Sequence, residues 1–164
     1  MAAETLDVTS MVNNRFEPKR QTRWIFQIEG IDAFLLKKAA RPKFTTEPVE
    51  IPYINSRRWL AGVTKVGTIA MVLHDPIAPS GAQQVMEWLR LHYEMVSGRS
   101  GYADFYKRNC SLKMLDPVGT VVEYWDIQGA LITESNFGDL DYGNNAELME
   151  ISLTIQPDSA ILQF

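Results

Sequence analysis

Apolar and polar positions alternate with a period of two in several short stretches of this chain, and one stretch has the longer period of a helix. Trp24, Phe26 and Ile28 alternate with Ile25, Gln27 and Glu29 before Gly30, which predicts a strand that ends in a turn. A second strand is expected from Ala33 to Ala40. From Gly67 to His74 the alternation returns, with Ile69, Met71 and Leu73 on one face, until Asp75-Pro76 breaks it. Residues 1–21 are polar and aperiodic, an arm that needs a neighbour to hold it, and the ordered domain is expected over 22–164.

Between these strands lies a segment with prolines at 42, 48 and 52, interleaved with Val49, Ile51, Tyr53 and Ile54. Proline withholds a backbone donor, so the segment cannot be a central strand. The expectation over 42–62 is a long extended excursion with short edge-strand pieces. It also carries Arg57, Arg58, Trp59 and Leu60, large groups that a free loop leaves exposed.

Ser80 to Ser97 has the period of a helix. Ser80 and Gln83 make a capping-box pattern, Gly98 supplies a stop, and Ala82, Val85, Met86, Leu89, Tyr93 and Val96 form an apolar stripe. Trp88, Leu91 and Met95 fall outside that stripe. A helix apolar on so much of its circumference is expected to be sunk in the fold or covered by a partner.

The rest reads as strands: Asn109–Leu115, Thr120–Ile127 after the turn Asp116-Pro117-Val118-Gly119, Gly129–Asn136, and Glu147–Gln156. In the last, Met149, Ile151, Leu153 and Ile155 oppose Glu150, Ser152, Thr154 and Gln156, so one face is expected dry and one wet. Strands do not alternate with helices. The predicted class is mainly β with one long helix, an antiparallel sandwich or barrel.

Composition supports a folded domain: 164 residues, 46% hydrophobic and 22% charged, which excludes intrinsic disorder and a collagen-like fibre. The single cysteine, Cys110, cannot close an intramolecular disulfide and alternates with Leu112 and Met114 as a core thiol would. The N-terminus shows no export signal, and apolar runs such as Ile69–Leu73 are too short to cross a bilayer, so a soluble protein without membrane insertion is expected. The net charge of −4 conceals an asymmetry: residues 1–65 carry +4 and residues 66–164 carry −8. After Lys113 there are nine acids and no Lys or Arg. Such a surface repels phosphate, whereas a basic and an acidic half attract each other between copies.

Catalytic signals are weak. His74 closes a strand and His92 sits beside the apolar stripe; neither has a sequence partner, and both read as structural. Two His and one Cys make no zinc cluster, and no Gly-x-Ser-x-Gly elbow or phosphate-binding loop is present. The segment 137–147 is rich in Asp, Asn and Gly, but Gly143 and Glu147 come too early for a calcium loop. No cofactor is expected. Lys37-Lys38 and Arg57-Arg58 suit subunit contacts better than nucleic acid.

The run Pro48 to Gly62, with Ile51-Pro52-Tyr53-Ile54-Asn55-Ser56-Arg57-Arg58-Trp59-Leu60-Ala61-Gly62, followed by Gly67 to Asp75, resembles the tail tube proteins of contractile, T4-like bacteriophages. The order of the later helix and β segments is similar over nearly the whole domain. The resemblance implies six subunits joining their sheets into a ring-shaped barrel, and rings stacking into a hollow tube inside the sheath. It implies an inter-ring contact through Val49, Ile51, Tyr53, Ile54, Arg57, Arg58, Trp59 and Leu60. Glu134, Glu150, Ser152, Thr154 and Gln156 would line the channel. Trp88, Leu91 and Met95 would lie on an outer helix that meets a partner.

The implied partners are the chain itself, tail sheath, baseplate and tail-terminator proteins, a tape measure protein in the lumen, and DNA in transit without specific binding. The implied locations are the virion tail and, during assembly, the host cytoplasm. Two other readings stand beside this one. The first is a tube subunit of a type VI secretion system, a contractile bacteriocin or a baseplate tube initiator. The second, of another class, is a small ligand-binding barrel or enzyme using the acidic loop 137–147.

Overall fold

A computed structural model describes residues 17–144 and 146–164. The alternating segments form strands: β1 (Trp24–Ile28), β2 (Leu36–Ala39), β5 (Ile69–His74), β8 (Arg108–Leu115), β9 (Val121–Asn136), β10 (Glu150–Gln156) and β11 (Ser159–Leu162). They make one antiparallel sheet in the order β1-β8-β9-β10-β5-β2, with β11 also paired to β9. The second expected strand is shorter than 33–40, because Ala33–Leu35 form a 3-10 turn before β2.

Two expected strands, 120–127 and 129–136, are a single one. β9 runs through 16 residues, its first half paired with β8 and β11 and its second with β10. The chain turns a corner at Gly129, whose φ of +66° suits glycine; a Cβ there would also meet the Asp158 carboxylate at 2.3 Å. One strand thus serves two halves of a curled sheet whose inner faces share a core. Phe26, Ile28, Cys110, Leu112 and Ile127 come from one half, and Ile69, Met71, Leu73, Ile151, Leu153 and Ile155 from the other.

Helix α1 (Gly81–His92) covers the core. Ser80 caps it, its side chain accepting from the Gln83 N–H at 3.4 Å. The helix stops five residues before the expected end at Ser97. Strands β6 (Tyr93–Glu94) and β7 (Arg99–Ser100) follow as a short hairpin, with Gly98 in its turn, and α2 (Ala103–Tyr106) completes the segment. Tyr93 and Val96, expected in the buried stripe, are therefore exposed. The face that enters the core is Gly81, Val85 and Trp88.

The excursion over 42–62 is more regular than expected. Strands β3 (Phe44–Pro52) and β4 (Arg57–Val66) form a continuous hairpin, separate from the main sheet. Proline is tolerated because a two-stranded ribbon leaves each strand a free edge, and the register shift falls between Thr46 and Pro48. Gly62 opposes that shift, where a Cβ would lie 2.3 Å from the Glu47 carbonyl oxygen. At about 3.4 Å per residue the ribbon is about 30 Å long.

Candidate assembly surfaces

The hairpin stands clear of the body that carries it: of its strand residues only Ile51, Gly62 and Val66 are half-buried, and none is buried. Register divides the eight expected contact residues between two faces. Val49 pairs with Leu60 and Ile51 with Arg58, placing these on one face with Tyr53; Glu50 pairs with Trp59 and Pro52 with Arg57, on the other. Arg57 Nε lies 3.0 Å from Glu50, which ties the Trp59 face across the ribbon. Ile54 at the tip is fully exposed, and Trp59 is 57% exposed. Apolar groups thus occupy both faces of a ribbon that the described residues do not cover.

The hairpin is anchored at its root. The Gly67 N–H donates to the Lys43 carbonyl at 2.7 Å, Gln156 Nε2 donates to the Val66 carbonyl at 2.9 Å, and the Phe44 ring lies 6.1 Å from Trp125. Beside Trp125 lies Glu123, the one buried charged residue among those described. Its carboxylate accepts from Lys19, from Trp125 Nε1 at 2.5 Å and from Arg41. One buried acid thereby fastens the chain before β1 and the segment that leads into β3.

Lys19 and Arg41 lie 104 and 82 residues from Glu123. No local pattern announces such a cluster, although an acid at an inward position of an alternating strand is a usable signal. Part of the arm expected over 1–21 is thus pinned by its own chain; residues 1–16 lie outside the described residues.

Burial pushes the Glu123 pKa up, but the hydrogen bonds from Lys19, Trp125 and Arg41 outweigh it and hold the group at about 2, against an ordinary 4.5. A depressed carboxylate stabilises the fold above its unfolded value. The contribution is therefore complete above about pH 4.5 and is lost as the pH falls toward 2. Glu123→Gln is expected to lower stability at pH 7 by roughly 2 kcal/mol and to flatten the acid limb of the profile. Denaturant melts of both proteins between pH 3 and 7 check this; parallel acid limbs would contradict it.

The polar face of β10 carries Glu150, Ser152, Thr154 and Gln156, while Ile151, Leu153 and Ile155 are fully buried. Glu134 pairs directly with Thr154, so it lies on that face and is exposed. The same face is less acidic than the sequence suggests: Lys37, 113 residues away, forms an ion pair with Glu150, and Lys38 pairs with Val72 on the adjoining strand. Two acids face two lysines across β9, β10 and β2.

Trp88 is not an outer contact. It is 1% exposed and the largest buried side chain, its Nε1 donating to the Tyr106 carbonyl at 2.6 Å and Arg108 lying 4.9 Å over its ring. Ending the helix at His92 also moves Met95 into the β6–β7 turn, where it is exposed; Leu91 is exposed near the helix end. His92 stacks edge-on with Tyr106, and His74 ends β5 opposite Glu150. Burial raises the Cys110 thiol to about 12, leaving it inert. Among the described residues no group of three His, Cys, Asp or Glu is placed to hold a metal ion, and no helix is long and apolar enough to cross a membrane.

No protein-family model matches the chain, and no curated protein matches it. Solved structures do. A chain from the sheath/tube terminator of an extracellular contractile injection system, PVC, in the extended state superposes with a TM-score of 0.73 at 13% identity, covering 92% of this chain and 99% of that one. A chain from the anti-feeding prophage cap, AFP, a tube terminating cap, gives 0.74 at 15% identity, covering 96% and 99%. The SPP1 tail tube gives 0.53 at 12% identity, covering 88% and 78%. The antiparallel sheet and, among the described residues, the one long helix are thus a fold shared with chains of contractile injection systems and with a phage tail tube.

Proposed function

We propose that this chain is a tube subunit of a contractile injection machine and has a structural role, not an enzymatic one. Six copies join their sheets into a ring, and rings stack into a hollow tube. The observation that carries this reading is the β3–β4 hairpin, a ribbon with apolar groups on both faces that the described residues leave uncovered, on a fold shared with tube proteins. Val49, Ile51, Tyr53, Ile54, Arg57, Arg58, Trp59 and Leu60 then make the inter-ring contact. The exposed Leu91 and Met95 face the sheath. Glu134, Glu150, Ser152, Thr154 and Gln156 line the channel, and baseplate, terminator and tape measure proteins meet the tube at its ends and inside it.

The machine is a contractile phage tail in the finer reading, with DNA as its cargo. The motif from Pro48 to Asp75 and the acid-rich second half support this, since an acidic surface does not grip a polyanion. A second reading, an extracellular injection particle, is favoured by the higher TM-scores to the PVC and AFP chains than to the SPP1 tube. Neighbouring genes for capsid and terminase, or for secretion components, separate the two. Sedimentation velocity across a concentration series tests the shared claim: mass should rise to rings and larger assemblies, and a strict monomer at high concentration in physiological salt would overturn it.

A further inference from the structure

The two ends of strands β5 and β10 carry complementary surfaces. At one end Val66 and Gln156 root the hairpin, which presents Tyr53, Ile54, Arg57 and Arg58 at its tip. At the other end, about 17 Å away along β5, His74 pairs with Glu150 and the Asp75 N–H donates to the Met149 carbonyl at 3.1 Å. The connection from β9 to β10 borders a half-open recess of about 840 Å³ at that end, where Lys37, already paired with Glu150, and His74 also contribute to the lining. Recesses of several hundred cubic ångströms hold a cluster of side chains or a small ligand.

The connection over 137–149 has three acids, Asp139, Asp141 and Glu147, and no Lys or Arg. It also exposes Leu140 at 87% and Leu148 at 78%, apolar groups left in water at the recess. The hairpin tip has the opposite sign. Arg57 is held by Glu50, while Arg58 has no ion-pair partner among the described residues, and Ile54 in the turn is fully exposed.

We propose that the hairpin tip of one copy docks, head to tail, into the recess beneath the 137–149 connection of a second copy. Arg58 meets the acids, and Ile54 and Tyr53 meet Leu140 and Leu148. The inference rests on the stacked-tube reading and names the surface that receives the hairpin. A projecting element at one end of a subunit and its complement at the other form a heterologous contact, which repeats without closing on itself and so builds along an axis. The two patches are not self-complementary, so a two-fold dimer through either one leaves its charge unmatched.

The test places cysteines at Ile54 and Leu140 in one chain. Both positions are exposed, so the fold is not disturbed, and the buried Cys110 thiol does not compete. Under mild oxidation the assembled I54C/L140C protein is expected to give a ladder of covalent multimers, and each single variant at most dimers. Arg58→Glu should raise the concentration needed for assembly about tenfold or more, and adding Asp139→Arg in the same chain should restore it. Normal tubes without a ladder, or without rescue by the second charge, would overturn the docking while leaving stacking intact. Wild-type protein that never associates would overturn the stacking reading itself.

Discussion

Trp59→Asp protein is expected to fold as the parent does and to form no long tubes. Trp59 lies on a ribbon separate from the main sheet and more than half exposed, so its removal touches no core contact. Substitutions at such surface positions shift stability by about 0.5 kcal/mol or less. In the stack proposed above the same side chain would be a buried aromatic anchor, whose loss commonly costs about 2 kcal/mol or more per contact. Every subunit in a ring repeats that loss. Register adds a local term, because Glu50 pairs with Trp59 and an aspartate there faces a like charge. Trp59→Ala separates the two effects: it should also shorten tubes, without the repulsion. Thermal melting and electron-microscopic tube lengths check the prediction, and tubes of normal length from Trp59→Asp would remove the hairpin from the contact.

If the proposed channel face is right, lysine at both 134 and 150 should make the tube retain DNA. The shared face of β9, β10 and β2 carries Glu134 and Glu150 against Lys37 and Lys38. The double substitution changes that face by four charges per subunit, repeated around each ring. Folding should survive, since the Lys37–Glu150 pair is exposed on both sides by a third or more, and such pairs contribute about 1 kcal/mol or less. Duplex DNA should be retained by variant tubes at low salt and released as salt rises, with a steep logarithmic dependence. Parent tubes should retain none. Variant tubes that bind no DNA would place this face away from the lumen.

Much of the body was legible from short-range pattern. β1, β5, β8 and β10 each bury one set of alternating residues, and a half-buried strand writes that period directly into sequence. The start of α1 was equally plain, because Ser80 is a local cap. Its end was not. Tyr93 and Val96 continue the apolar spacing, yet the chain turns into a hairpin whose register depends on contacts such as the Gly101 N–H to the His92 carbonyl at 2.9 Å. An apolar stripe extended through those two residues leaves Trp88 outside it; because the helix stops at His92, the inward face passes through Val85 and Trp88 instead.

The regular hairpin in place of an extended excursion with short edge-strand pieces has a physical reason. Proline excludes a central strand but not a two-stranded ribbon, and sequence alone does not say how many neighbours a strand will have. The ion pairs of Glu123 and Glu150 were invisible, since they join residues about a hundred positions apart. They matter to the assembly surfaces: one fixes the hairpin root, and the other lowers the acidity of the face assigned to the channel.

The most direct test of the central claim is electron microscopy of the purified protein at high concentration in physiological salt. Hollow tubes built from stacked six-fold rings, with the hairpin bridging successive rings, are the expected image. Dispersed monomers with neither ring nor tube under those conditions would contradict the account.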